Sequence, residues 1–212
     1  MEKFNSNKYK SAMKHILVLL VLLCSMPLFS QEEEVIFDKA RVQGGFGGPT
    51  IEWTWMNGQS GVMAGGGGGV ILNNFFFGGF GQGGSYAEQV INDRQYPINF
   101  GFGGLWLGYV VPSPKAIHFF SSLKIAGGGI SITEGREDHG DTLFDEAVFV
   151  MQPEAGVEVN MFKWFRIALT ANYRIVSGIQ PEHLAGLSNS DFNAAGMTLT
   201  LRFGKFLRDT SD

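Results

Sequence analysis

Beyond about Gly44 apolar residues recur at every second position, and no helical period of any length interrupts them. The clearest stretch sets Met197, Leu199, Leu201 and Phe203 on one face against Thr198, Thr200, Arg202 and Gly204 on the other. A second sets Phe165, Ile167, Leu169, Ala171, Tyr173 and Ile175 against Arg166, Ala168, Thr170, Asn172 and Arg174. Period two marks strands with two unlike faces. The pattern predicts eight strands, over Phe46–Met56, Gly61–Asn73, Phe75–Gly83, Ile98–Val111, Ala116–Ile132, Ala147–Met161, Phe165–Val176 and Asn193–Phe206. The Gly65–Gly69 run carries no readable alternation, which leaves the second strand the least defined.

The connections fall into two kinds. Asn73–Asn74, Pro112–Lys115 and Phe162–Trp164 are tight, whereas Gly84–Pro97, Thr133–Glu146 and Ser177–Phe192 are longer and polar. Short alternates with long, apart from Asn57–Ser60, which is short where a long one is due. Membrane barrels with tight turns at one rim and long loops at the other show this asymmetry. Strand length agrees, because a tilted strand needs ~9–11 residues to cross hydrocarbon while globular strands run to ~5–6. Trp53, Trp55, Trp106, Tyr109, Trp164 and Tyr173 lie toward strand ends or beside turns, where amphipathic rings favour the headgroup boundary. The expected fold is all-β, an eight-stranded antiparallel up-and-down transmembrane β-barrel.

On strand count, loop asymmetry and the closing amphipathic strand Gly196–Phe206, the chain resembles the small eight-stranded outer-membrane barrels typified by outer membrane proteins A and X. The resemblance covers Phe46–Phe206 and is one of architecture. It implies residence in the bacterial outer membrane, with outer-membrane lipid as a partner and the barrel-assembly machinery as another during biogenesis. Such barrels commonly end on a Phe that this machinery recognises; here Phe206 is followed by Leu207–Asp212.

The N-terminus adds an address. Lys3, Lys8, Lys10 and Lys14 precede the apolar run Ile16–Leu23, and Pro27, Leu28, Phe29 and Ser30 follow it. This order reads as a secretory signal peptide cleaved after Ser30, too short in its apolar part to span a bilayer. The expected organisation is a signal over 1–30, a periplasmic tail over 31–45, the barrel over 46–206 and a C-terminal tail over 207–212. The single cysteine, Cys24, leaves with the signal, and Val21, Leu22 and Leu23 before it make a poor lipoprotein box, which calls for a small residue ahead of the Cys.

Composition removes several function classes. Of 212 residues, 30 are Gly, 28 are aromatic and 17% are charged, which fits neither a disordered acidic chain nor an ordinary helical enzyme. After loss of the signal, 12 basic residues face 19 acidic ones. Nucleic acid is therefore not an expected partner, since binding to it rests on clustered Lys and Arg.

With the apolar faces turned to lipid, the opposite faces must fill or line the lumen. Gln152, Glu154, Glu158 and Asn160 share one face of the sixth strand, and Arg166, Asn172 and Arg174 one face of the seventh. Across the tight turn, Asn160 is expected opposite Arg166 and Gln152 opposite Arg174, with Glu158 diagonal to Arg166 and Glu154 diagonal to Arg174. Lys124 and Glu52 have the same parity. The expected interior network is Glu52, Lys124, Glu154, Glu158, Arg166, Arg174 and Arg202, both signs together because lone buried charge is costly.

An eight-stranded barrel is just wide enough for side chains to fill it. The expected function is that of a monomeric structural or protective membrane protein with a filled lumen. The alternatives are a narrow gated pore, and loop-mediated binding or adhesion. The glycine runs are not followed by a helix, so they do not read as phosphate loops. No catalytic, cofactor-binding or metal-binding residues are assigned: His118 and Ser122 share a face that points inward, Glu137, Asp138, His139 and Asp141 crowd one polar loop without an orienting partner, and His183 stands beside Glu182.

Overall fold

The computed structural model describes residues 42–56, 59–91, 94–110, 115–133, 142–184 and 186–206. Eight strands form: β1 (Val42–Met56), β2 (Gln59–Leu72), β3 (Phe75–Ile91), β4 (Arg94–Val110), β5 (Ile117–Thr133), β6 (Thr142–Phe162), β7 (Phe165–Ser177) and β8 (Ala194–Phe206). Each is antiparallel to the next, and β1 closes on β8 to complete the barrel. The expected signal, its cleavage at Ser30, Cys24, the loop acids with His139 and the tail after Phe206 lie outside the described residues.

The strands alternate as a half-polar pattern requires. Along β7 the even positions from Ala168 to Val176 are buried and the odd ones from Leu169 to Ser177 exposed. Phe77, Leu105, Phe119, Phe149, Val157, Leu169 and Met197 stand on the outer surface, each more than 40% exposed. Arg174, Lys124, Gln152 and Glu158 lie inside with no exposure at all. This is the reverse of a water-soluble sandwich.

The strands depart from the sequence reading mainly at one rim. β1 begins at Val42 rather than Phe46. The stretch Gly84–Pro97, expected as a long loop, is a continuation of the β3–β4 hairpin, with Gly84 opposite Phe100 and Ile91 opposite Arg94. β6 likewise starts at Thr142, inside the second expected loop. Gly, Ser, Asn and Pro suggested a loop there, yet a bulge between Tyr86 and Glu88 absorbs the irregularity without ending the ladder. At the other rim the β2–β3 turn holds Asn73 at φ 55°, a left-handed conformation that Asn tolerates better than most residues.

β2 shows why glycine hid its alternation. Gly66, Gly67, Gly68 and Gly69 pair with β1 and β3 as an ordinary strand. A Cβ on Gly67 would come within 3.0 Å of the Trp106 ring, so the missing side chain is space given to a bulky neighbour inside the barrel. The Phe76 ring occupies the corresponding space above Gly108.

Candidate functional site: the filled lumen

At the waist of the barrel five side chains form a closed hydrogen-bonded ring. Glu52 Oε2 accepts from Gln82 Nε2 at 2.7 Å and from Gln152 Nε2 at 2.8 Å. Gln82 Oε1 in turn accepts from Lys124 Nζ at 3.2 Å. Lys124 meets Glu154 Oε1 at 2.8 Å, and Gln152 Nε2 reaches the same oxygen at 3.2 Å. The members come from β1, β3, β5 and β6, so the ring bridges opposite walls. Ser122 donates to Glu154 at 2.7 Å, and Arg174 Nη1 approaches Glu52 Oε1 at 3.3 Å. Each buried charge thus has a partner of opposite sign, which offsets much of its desolvation.

Toward the tight-turn rim, Glu158 gathers three donors: His118 Nε2 at 3.0 Å, Arg166 Nη1 at 2.8 Å and Arg202 Nη1 at 2.5 Å. Four aromatic rings box the Arg202 guanidinium. Phe46 lies 4.0 Å from it, Phe120 4.3 Å, Phe76 4.8 Å and Trp106 5.3 Å. Among the described residues Arg202 Nε and Nη2 have no hydrogen-bond partner and instead lie among these faces, where a desolvated cation gains ~2 kcal/mol or more. The same device recurs: Lys124 sits over Phe80 and Trp106, Arg174 over Phe100 and Phe102, and Arg166 over Phe206. Every interior Lys or Arg of the expected network has both a carboxylate and a ring.

The far end is closed by carbon. Residues 178–193, which join β7 to β8, carry a 3-10 turn at Pro181–His183 and a short helix, α1 (Asn189–Phe192). Ile179, Leu184, Leu187 and Phe192 from this connection are buried in one cluster with Ile98, Ile130, Ile132, Val148, Val150 and Val176. Phe192 meets Phe100 edge-on at 5.9 Å, and its carbonyl accepts from Arg174 Nε at 3.3 Å. Ser188 and Asp191 cap α1 reciprocally, which holds the segment folded.

The expected interior residues all lie on the inner face, with pairings that differ in part. Asn160 stands opposite Arg166, and Arg166 reaches Glu158 diagonally. Glu154 does not meet Arg174; it pairs with Lys124, while Arg174 turns to Glu52. Parity places a side chain on a face, but the curvature of a closed wall decides which facing strand it reaches. Gln82 was not anticipated; its even parity with Phe76 and Phe80 was the available signal.

Trp106 is a correction. Expected at the outer boundary, it is 1% exposed and lies inside, because β3 and β4 present bulky residues on both faces and the glycines opposite leave room for its ring. Of the other aromatics in that group, Trp53, Trp55, Trp164 and Tyr173 are exposed, and Tyr109 is half-buried against Phe75 at 5.0 Å. His118 and Ser122 are each bonded to a different glutamate. No group of three metal-ligating side chains occurs among the described residues.

No protein-family model and no curated protein sequence matches the chain. Solved structures do. Neisserial surface protein A superposes with a TM-score of 0.54 at 8% identity, over 76% of this chain and 95% of that one. The N-terminal β-barrel domain of OprF from Pseudomonas aeruginosa matches with a TM-score of 0.45 at 11% identity, over 78% and 99% of the two chains. Ail, the attachment invasion locus protein of Yersinia pestis, matches at 0.42 and 13% identity, over 76% and 95%. At such identities the likeness is one of fold, and the chain shares with the Neisserial protein the closed, eight-stranded antiparallel barrel.

Proposed function

We propose that this chain is an integral barrel of the bacterial outer membrane, structural or protective in role, that neither conducts nor catalyses. Its partners are outer-membrane lipid and, during biogenesis, the barrel-assembly machinery, and it acts as a monomer. Two features support the membrane setting: a surface rich in exposed Phe, Leu, Val and Trp, which would be a liability in water, and a polar interior. The tight-turn rim then faces the periplasm.

The observation that carries the non-conducting role is the ring of Glu52, Gln82, Lys124, Glu154 and Gln152 across the waist. Above it lies the apolar stopper and below it the boxed Arg202, so three successive layers obstruct the axis. Refolded protein in detergent is expected to migrate differently before and after boiling, and planar bilayers are expected to show no discrete current steps. Co-migration with solubility in the absence of detergent would return the barrel to water, and reproducible current steps would make it a pore.

A further inference from the structure

One corner of the tight-turn rim carries two lysines and, among the described residues, no carboxylate. Phe165 stands opposite Phe203, and Gly204 N–H donates to Trp164 O at 2.9 Å, which continues the β7–β8 ladder one step further. Lys163, in the β6–β7 turn just before Trp164, and Lys205, two positions beyond Phe203 on β8, flank this end of the ladder, and both are exposed. Among the described residues neither lysine has a carboxylate partner. The described surface carboxylates, Asp145, Glu146, Glu182 and Asp191, belong to the other rim.

Beside the lysines runs a stack of four rings. Phe162 and Trp164 lie 5.7 Å apart at 10°, Trp164 and Phe203 6.1 Å apart at 22°, and Phe203 and Phe165 4.8 Å apart at 16°. Phe162, Trp164 and Phe203 are exposed. Flat aromatic surface next to two exposed cations matches a molecule with apolar tails and a negative head.

We infer that this corner binds an anionic phospholipid of the inner leaflet, its phosphate between Lys163 and Lys205 and its acyl chains along the stacked rings. The inference rests on the membrane reading above. Lysines at a membrane surface extend their stems along apolar surface and place the ammonium at the phosphate level. The two exposed lysines supply specificity, because a zwitterionic lipid brings its own cation to the same place.

The test is tryptophan quenching in vesicles holding dibrominated phosphatidylglycerol or dibrominated phosphatidylcholine at equal mole fraction. Stronger quenching by phosphatidylglycerol is expected, with association favoured about fivefold per lysine at low salt. The preference should vanish in Lys163→Gln/Lys205→Gln, while Trp164→Phe should remove the excess signal and leave quenching at Trp53 and Trp55. Equal quenching in the unaltered protein, or a preference that survives in the double variant, overturns the site. Loss of the preference on adding inorganic phosphate would assign the corner to the free anion and overturn the lipid. Absence of quenching by either lipid would remove the membrane reading and this site with it.

Discussion

Arg174 of β7 and Glu52 of β1 meet inside the barrel, Nη1 to Oε1 at 3.3 Å, although 122 residues separate them. Neither is exposed by more than 1%. Glu52 also receives Gln82 and Gln152, so one carboxylate ties three other strands to β1.

Removing that carboxylate should therefore be severe. Glu52→Ala takes a carboxylate from Arg174 and one acceptor from each of two amides in the closed interior, and is expected to cost ~3–5 kcal/mol. Glu52→Leu/Arg174→Met, which removes both charges, should recover much of the loss. Urea unfolding in lipid vesicles, followed by tryptophan fluorescence, measures both.

The Arg202 box discriminates between two cations. Arg202→Lys keeps the charge but loses the planar face that four rings contact and the reach to Glu158. A loss of ~1–3 kcal/mol is expected from the combined ring and hydrogen-bond contacts. An unchanged unfolding midpoint would show that the rings only fill space.

Opening the axis should require all three layers to be changed at once. Glu52→Ala/Gln82→Ala/Lys124→Ala empties the waist and leaves the stopper in place. Replacing residues 180–191 with a short Gly-Ser linker removes the stopper and leaves the waist. Neither alone is expected to conduct, nor the two together while the Arg202 box remains, whereas adding Trp106→Ala/Arg202→Ala to clear that third layer should give discrete steps in planar bilayers. Conductance from the linker variant alone would place the barrier in the loop.

Glycines at different places should respond differently to a methyl group. A Cβ on Gly81 meets nothing within 4 Å, so Gly81→Ala should be neutral or stabilising by up to about 1 kcal/mol. A Cβ on Gly108 would overlap the Phe76 ring, and Gly108→Ala should cost ~1–3 kcal/mol. The same unfolding assay ranks them.

Where one face is polar and the other apolar, as in β7 and β8, alternation alone placed Arg166, Arg174 and Arg202 on the inner face and Leu169 and Met197 on the outer. In β3 and β4 both faces carry rings or glycine, and there the sequence misplaced Trp106. The stopper was not legible either. Ile179, Leu184, Leu187 and Phe192 are spaced irregularly among Pro, Gly and Ser, and only the closed wall beneath them explains their burial. Side chains separated by many strands leave no local trace, which is why Glu52 with Arg174 was unforeseen while Glu158 with Arg166, across one tight turn, was expected.

The waist ring draws its members from β1, β3, β5 and β6, and β1 is itself held by the last strand. A chain inserted only partway would therefore strand charged groups and bare sheet edges in hydrocarbon, where neither finds relief. In the membrane setting proposed above, insertion and closure should accordingly be one concerted event, and any truncation that removes β8 should leave no half-built barrel behind.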